Sequence, residues 1–567
     1  MDLDGAALTV TAGRRSSATL LLAALPITFI GVLFLYPVAT IVWTGLAPDG
    51  RLDLSPVLRV VSDPAILRVV WFTVWQATVS TVLTLLLGLP AAYVVARLDF
   101  PGRKLLRAAV TVPFVLPTVV VASAFLSLLG PRSPLNDLAV RIAGEGAPQL
   151  SLHHTVWAIL LAHVFFNYAV VVRTVGGLWA HLDPRTEEAA QVLGAGRVRT
   201  FLEVTLPALR PAISAAAAIV FLFTFTSFGV VLILGGPRLA TIEVEIHRFT
   251  AQLLDLPTAS ALALVQLLFV VGALVVYGRL QRRGPSRQRL RSAADVARPP
   301  RGARQRAFLA ANLIVMLVLL ALPLAVLVER SLATGSGYGL DLYRTLGESR
   351  RASILAVSPW EAVRNSVVFG TVATVVAVTV GGAAAWVVTR SRGVAARLLD
   401  GVLMLPLGIS AVTVGFGFLI SLDRPPLDLR ASPLLVPLAQ AVVATPFVVR
   451  ILVPVLGAVD ERLREAAAVM GARPRQVWRE IDLPIVGRAL LVAAGFAFAI
   501  SVGEFGATVF IARANLPTLP IAIFRLLGQP GAVNFGQAMA MSTILMVLTA
   551  TVITAIERVR VGTVGEF

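Results

Sequence analysis

The chain has 567 residues, 57% of them hydrophobic and only 14% charged, with a formal net charge of +18 and no cysteine. Soluble domains carry about 25% charged residues, so this balance excludes an ordinary water-soluble enzyme, and the lack of cysteine excludes disulfides and thiolate metal sites. A basic excess can suit nucleic acid, but here the arginines gather in alternate loops between apolar runs, so no nucleic-acid partner is expected.

A spanning helix needs about 20 apolar residues, and runs of that kind fall near 20–42, 69–96, 108–129, 154–176, 211–234, 257–277, 307–328, 364–389, 401–421, 433–456, 486–512 and 535–556. They predict an all-α polytopic membrane protein of about 12 transmembrane helices, with the lipid bilayer as its solvent. Arg14 and Arg15 precede the first run, which is long and lacks a small-residue cleavage site, so it reads as a retained helix rather than a removed leader. Prolines recur inside the runs (Pro26, Pro37, Pro90, Pro113, Pro117, Pro406 and Pro446). They would break helices in water but are tolerated in a bundle whose neighbours satisfy the freed carbonyls.

In the fourth run His163 and Asn167 lie one turn apart, with Tyr168 adjacent. They are candidates for a solute path, although hydrogen bonding between helices is the commoner use of such residues. The loop that follows, 183–208, contains EEAAQVLGAGRVRTFLEVTLP. Asp183 is placed to cap a helix that opens with Pro184, Ala189 and Ala190 give it a narrow face, and Gly194 permits a turn. A second helical stretch is expected to end at Leu206-Pro207. After the fifth run come Ser227 and Gly229, then Glu243, Glu245 and His247 on the outer side. Their alternate spacing could suggest a metal site, but loop solvation or docking of a partner is preferred.

Residues 280–306 are rich in arginine and broken by Gly284, Pro285, Pro299, Pro300 and Gly302. They read as a basic cytoplasmic linker lying near anionic headgroups. The linker separates a first half, 1–279, from a second, 307–567. In the second half the loop 460–485 contains REAAAVMGARPRQVWREIDLP, with Asp460 as its helix cap. Further on, Glu504 and Gly506 stand where Ser227 and Gly229 stand in the first half. A carboxylate at membrane depth is expensive and faces a cavity or a partner. Glu504 is therefore a candidate path residue favouring a cationic solute, weighed against a structural role in which it bonds to neighbouring backbone.

The halves are one pattern written twice. GLPAAYVVAR at 88–97 aligns with GGAAAWVVTR at 381–390, an offset of 293, and Pro113 aligns with Pro406. From the fourth run onward the offset is 277, so the first half has the longer outer loop after its third run. Both inner loops obey E-A-A-x3-G-x9-[IV]-x-L-P without a gap. The matched residues are Glu188, Ala189, Ala190, Gly194, Val204, Leu206 and Pro207, and Glu465, Ala466, Ala467, Gly471, Ile481, Leu483 and Pro484. Six runs per repeat make the halves parallel, related by an axis along the membrane normal, with the interface between them as the natural pathway. Placing both loops on one side puts most of the Lys and Arg residues there, so the loops and both termini are expected in the cytoplasm.

This paired signature resembles the permease subunits of binding-protein-dependent ABC importers, and the resemblance covers nearly the whole chain. It implies that the loops are coupling helices docking a cytoplasmic ABC ATPase, two copies of it, with Glu188 and Glu465 facing it and Gly194 and Gly471 shaping the bend. Because Glu187 precedes Glu188, which acid makes the first contact stays open. The resemblance also implies an extracytoplasmic solute-binding protein and a place in the cytoplasmic membrane. A P-loop needs G-x4-G-K-[ST], and the single lysine, Lys104, lies in no such motif. ATP and Mg are therefore expected on the partner, and the chain is not expected to be an enzyme itself.

Within fused twelve-span permeases, LLAHVFFN at 160–167, LGGPRLATIEVEIHR at 234–248 and SVGEFGATVF at 501–510 look like the thiamine and ferric-iron import group, the first two closest to thiamine permeases. The expectation is import of a small solute, thiamine first and ferric iron or another solute as the alternative. An ion-gradient-driven secondary transporter also fits parallel six-span repeats but does not account for paired docking loops. A membrane-embedded enzyme would need convergent ionisable residues that the spans lack.

Overall fold

The computed structural model describes residues 22–281 and 296–561 apart from 49, 132, 145–150, 335–336, 348–353, 392–393, 424 and 426. Most of the basic linker, and Arg14 and Arg15, thus lie outside the described residues. The described chain is helical but for a two-stranded antiparallel hairpin, Ala333–Thr334 with Gly337–Tyr338. Among the described residues eleven helices are long and apolar enough to cross a membrane, or up to twelve if one bent pair counts as a single span. The all-α polytopic class follows.

The chain forms two compact units. One comprises residues up to Arg51, Arg344–Gln529 and the chain from Ile544 onward; the other comprises Leu52–Tyr343 and Pro530–Thr543. Neither is a contiguous half of the sequence. The first unit includes Leu22–Leu46, which precedes the rest of the first half, and a β-carbon added at Gly417 would lie 2.9 Å from Pro37 of that helix. The second unit includes Gly302–Leu332 from beyond the linker, where Phe308 stands edge-on to Tyr93 at 6.0 Å and Leu322–Leu332 packs on Thr118–Leu129.

Within each unit the same contacts recur at the repeat offsets. An added β-carbon would come within 2.8 Å of Val171 at Gly88 and within 2.8 Å of Val448 at Gly381. Glycine at these two positions lets the second and fourth spans of each half approach closely. This small-residue packing replaces the hydrophobic drive that is missing between helices in lipid. Ala91, Ala92 and Ala96 line the approach in one unit, and Ala384 and Ala385 in the other, all buried. The hydroxyl of Thr73 accepts from the Ile242 amide at 3.0 Å, and Ser366 accepts in the same way from Leu519 at 2.6 Å. Each bond caps the start of a short helix, Ile242–Ala251 or Leu519–Leu527.

Several expected spans are corrected. The run at 108–129 is two helices, Arg103–Val115 and Thr118–Leu129. Pro117 drives Leu116 into extended geometry, as a residue before proline must be, and so separates them. The equivalent run at 401–421 is Leu398–Pro406 followed by Ala411–Ser421, bent by 93°. There Ser410 starts the second piece by accepting from the Val412 amide. The fifth and eleventh spans begin earlier than expected, as continuous helices Arg197–Phe225 and Arg475–Gly503. Leu206-Pro207 and Leu483-Pro484 therefore do not end a helix. Each follows a π-helical turn, Phe201–Thr205 or Trp478–Asp482, whose wider pitch accommodates the proline just beyond it.

Candidate functional site: two braced loops and two broken helices

Each signature loop is a short helix closed by a left-handed glycine. Asp183 accepts from the Arg185 amide at 3.1 Å and Asp460 from the Arg462 amide at 3.0 Å, satisfying amides that helix starts leave orphaned. The helices run Arg185–Val192 and Glu461–Val469. Gly194 at φ 90° and Gly471 at φ 84° end them in the left-handed region. The Ala195 amide bonds to the Ala190 carbonyl and Gly194 to Gln191; Ala472 to Ala467 and Gly471 to Ala468 repeat the pair. This is a Schellman closure, which only a residue tolerant of positive φ completes without strain.

Glu188, Ala189, Glu465 and Ala466 are exposed, Ala190 is half-buried and Ala467 is buried. Leu206 and Pro207 are half-buried, whereas Leu483 and Pro484 are exposed. The most telling residues were not among those singled out from the motif. Val192 and Leu193 are each 87% exposed, and at the same offset Val469 and Met470 are 88% and 81% exposed. The two loops thus present matching, largely exposed apolar pairs at their tips. The visible signal was an apolar pair directly before the glycine of both copies.

The loops are braced with opposite charges. Glu187 accepts from Arg97 at 3.2 Å and from the Thr205 hydroxyl at 2.9 Å. At the equivalent positions of the second loop stand Arg464 and Asp482, joined by a bond of 2.7 Å from Arg464 Nε to Asp482 Oδ1. In the first loop Glu187 is the bracing acid, while Glu188 is exposed.

The candidate path residues lie where helices break. Helix Leu206–Phe225 stops before Ser227, and a new helix, Gly229–Leu234, starts at the buried Gly229. His163 is 2% exposed and bridges two hydroxyls, Ser80 at 3.1 Å through Nδ1 and Ser227 at 2.8 Å through Nε2. Asn167 donates to the His163 carbonyl within its own helix at 2.9 Å. In the other unit the helix ends at Gly503, and Glu504, 6% exposed, accepts from the amides of Ala507 at 2.7 Å and Thr508 at 3.0 Å and from the Thr508 hydroxyl. Both carboxylate oxygens thus turn onto the backbone that follows the break. Gly506 sits beside this carboxylate, with an added β-carbon 3.1 Å from Ala411.

On helix Ile242–Ala251 Glu243, Glu245 and His247 are all buried, so of the two expected readings, loop solvation and partner docking, solvation does not hold. Glu243 accepts from Gln266, and Glu245 pairs with Arg248 at 3.1 Å. Burial draws His247 down to about 4 and so leaves it neutral at neutral pH.

Residues 84–284 match the family model described as the inner membrane component of binding-protein-dependent transport systems. A thiamine transport system permease protein of Brucella abortus is 30% identical over 476 residues, covering 82% of this chain and 83% of that protein. Its counterpart from Escherichia coli is 26% identical over 504 residues, covering 88% and 89%. A sulfate transport system permease protein of Salmonella typhimurium is 33% identical over 208 residues, covering 36% of this chain and 73% of its own length.

Proposed function

The chain belongs to the family of binding-protein-dependent transport permeases of the inner membrane, ABC importer subunits fused as two halves, and from that premise we propose that its substrate is thiamine. The observation that carries the mechanism is the pair of matched loop tips. Val192-Leu193 and Val469-Met470 lie outside any candidate span and are almost fully exposed. Each follows a capped helix and precedes a glycine closure that fixes its direction. Such a tip suits insertion into an apolar groove on a globular partner, in the manner of a short helix laid into a cleft.

In this reading the partner is a cytoplasmic ABC ATPase in two copies, holding the ATP and Mg that this chain has no motif to bind. Glu188, Ala189, Ala190, Gly194, Leu206, Pro207, Glu465, Ala466, Ala467, Gly471, Leu483 and Pro484 make up the docking loops. ATP binding draws the ATPases together, and the loops transmit that motion because each is rigidly tied to its span. The bonds from Thr205 to Glu187 and from Arg464 to Asp482 tie each loop helix to the π-helical turn near the start of its span. A ligand shifts a conformational equilibrium only by binding its two states differently, and a stiff loop lets ATP do so.

The solute arrives on an extracytoplasmic binding protein and passes at the depth of the helix breaks, near His163, Asn167, Ser227, Gly229, Glu504 and Gly506. Both termini and the basic linker lie in the cytoplasm, and the two sequence halves, 1–279 and 307–567, are the functional repeats. The supporting experiment is co-purification of the ATPase with Leu193→Asp and Met470→Asp variants. Loss of the ATPase with normal membrane insertion is expected; full retention in the double variant would refute docking at the tips.

A further inference from the structure

The two loops differ in what holds their outward acid. The described end of the linker is docked, not loose. Val296 is 2% exposed, the Arg298 amide donates to the Arg97 carbonyl at 3.0 Å, and the Asp99 amide donates to the Arg298 carbonyl at 2.9 Å. This short parallel bridge between Leu98 and Arg298 places the Arg298 guanidinium on Glu188, with Nη2 to Oε1 at 2.9 Å. The acid of the first loop is therefore occupied by the chain's own linker.

Among the described residues the second loop has no such strap. Its brace is self-contained, because Arg464 replaces Glu187 and pairs with the buried Asp482 of the same loop. The residue matching Arg97 is Arg390, which lies 4.5 Å over the Trp386 ring of its own helix. Glu465 is exposed and makes no ion pair among the described residues.

We propose that residues 296–298 are a strap that makes the two docking loops unequal, so that Glu465 is offered to the ATPase while Glu188 becomes available only when Arg298 lets go. This rests on the reading that the loops dock an ATPase. The basic linker thereby acts as a competitor at one docking site and leaves the other open. The Arg298–Glu188 pair is half exposed on both sides, and pairs of that kind shift an equilibrium by about two- to five-fold. That is the size of a modulator rather than a lock.

The test uses the full-length protein with its ATPase and the variants Glu188→Gln, Glu465→Gln, Arg298→Ala and Arg298→Ala with Glu188→Gln, alongside Met470→Asp as a docking control. In the native background Glu465→Gln should weaken ATPase binding more than Glu188→Gln. Arg298→Ala alone should tighten it by about two- to five-fold. In the Arg298→Ala background Glu188→Gln should become as damaging as Glu465→Gln. Equal effects of the two glutamine variants in the native background would overturn the inference, as would the same Glu188→Gln effect with and without Arg298.

The strap is measured separately, without ATPase, by hydrogen exchange at the Asp99 and Arg298 amides. Slow exchange is expected, and exchange at the rate of an open loop would remove the strap whatever the binding data show. If these amides are protected but Met470→Asp and Glu465→Gln both bind the ATPase normally, the docking premise has failed, and the inference falls with it.

Discussion

Replacing Glu504 by glutamine distinguishes two roles for the carboxylate. Its oxygens take three donors, the amides of Ala507 and Thr508 and the Thr508 hydroxyl, at a site 6% exposed. A glutamine keeps one oxygen but turns the other into a donor. If its oxygen serves Ala507, the amide nitrogen faces Thr508; the hydroxyl can rotate to accept, but the Thr508 N–H is left without an acceptor. An orphaned buried donor costs about 1–3 kcal/mol. Glu504→Ala removes both acceptors and leaves the donors orphaned, a loss of about 3 kcal/mol or more. The order of thermal midpoints in detergent should therefore be wild type, then Gln, then Ala, with transport falling in parallel with folded protein. A Glu504→Gln variant as stable as wild type but with transport reduced per folded molecule would refute this reasoning, since it would make the carboxylate a solute-facing charge rather than the cap of a broken helix.

Other outcomes follow from the packing and the loops. Gly88→Leu or Gly381→Leu drives a side chain into Val171 or Val448, each 2.8 Å from an added β-carbon. Overpacking of this kind costs about 1–3 kcal/mol, read as a lower melting midpoint, while Gly177→Leu, with open space around it, should be neutral. Gly194→Pro with Gly471→Pro places a residue restricted to negative φ where the chain needs φ of 90° and 84°. ATPase association should be lost while membrane insertion, checked by fractionation, persists. Asp460→Ala deletes the cap on the Arg462 amide and should lower ATPase affinity through a frayed loop helix, a cap being worth about 1 kcal/mol. Asp460→Asn should restore it.

The repeat was legible because it is written in residue types that backbone geometry demands. Gly194 and Gly471 are the residue type that closes a Schellman turn at those φ values most readily, and Gly88 and Gly381 are small because spans touch there. The helix breaks were less visible. Hydropathy averages across Leu116-Pro117 and across Ser410, so two helices read as one run. The π-helical turns before Leu206 and Leu483 leave no compositional trace, and the proline just beyond each suggests a stop instead of a continuation. Likewise, an aligned repeat cannot reveal which unit a first span packs into. Leu22–Leu46 is almost wholly apolar, and the pairing of Arg330 at the end of Gly302–Leu332 with Asp137 shows only once the chain is folded. For Glu504, charge at depth was apparent but its backbone partners were not, since they depend on a break after Gly503.

The most direct test of the transport assignment is ATP hydrolysis by proteoliposomes holding this chain with its ATPase, driven from outside by binding protein loaded with thiamine or with ferric iron. Stimulation by thiamine-loaded binding protein, with thiamine accumulating inside, is the predicted result. Stimulation by iron alone, or transport that follows an ion gradient without ATP, would contradict it.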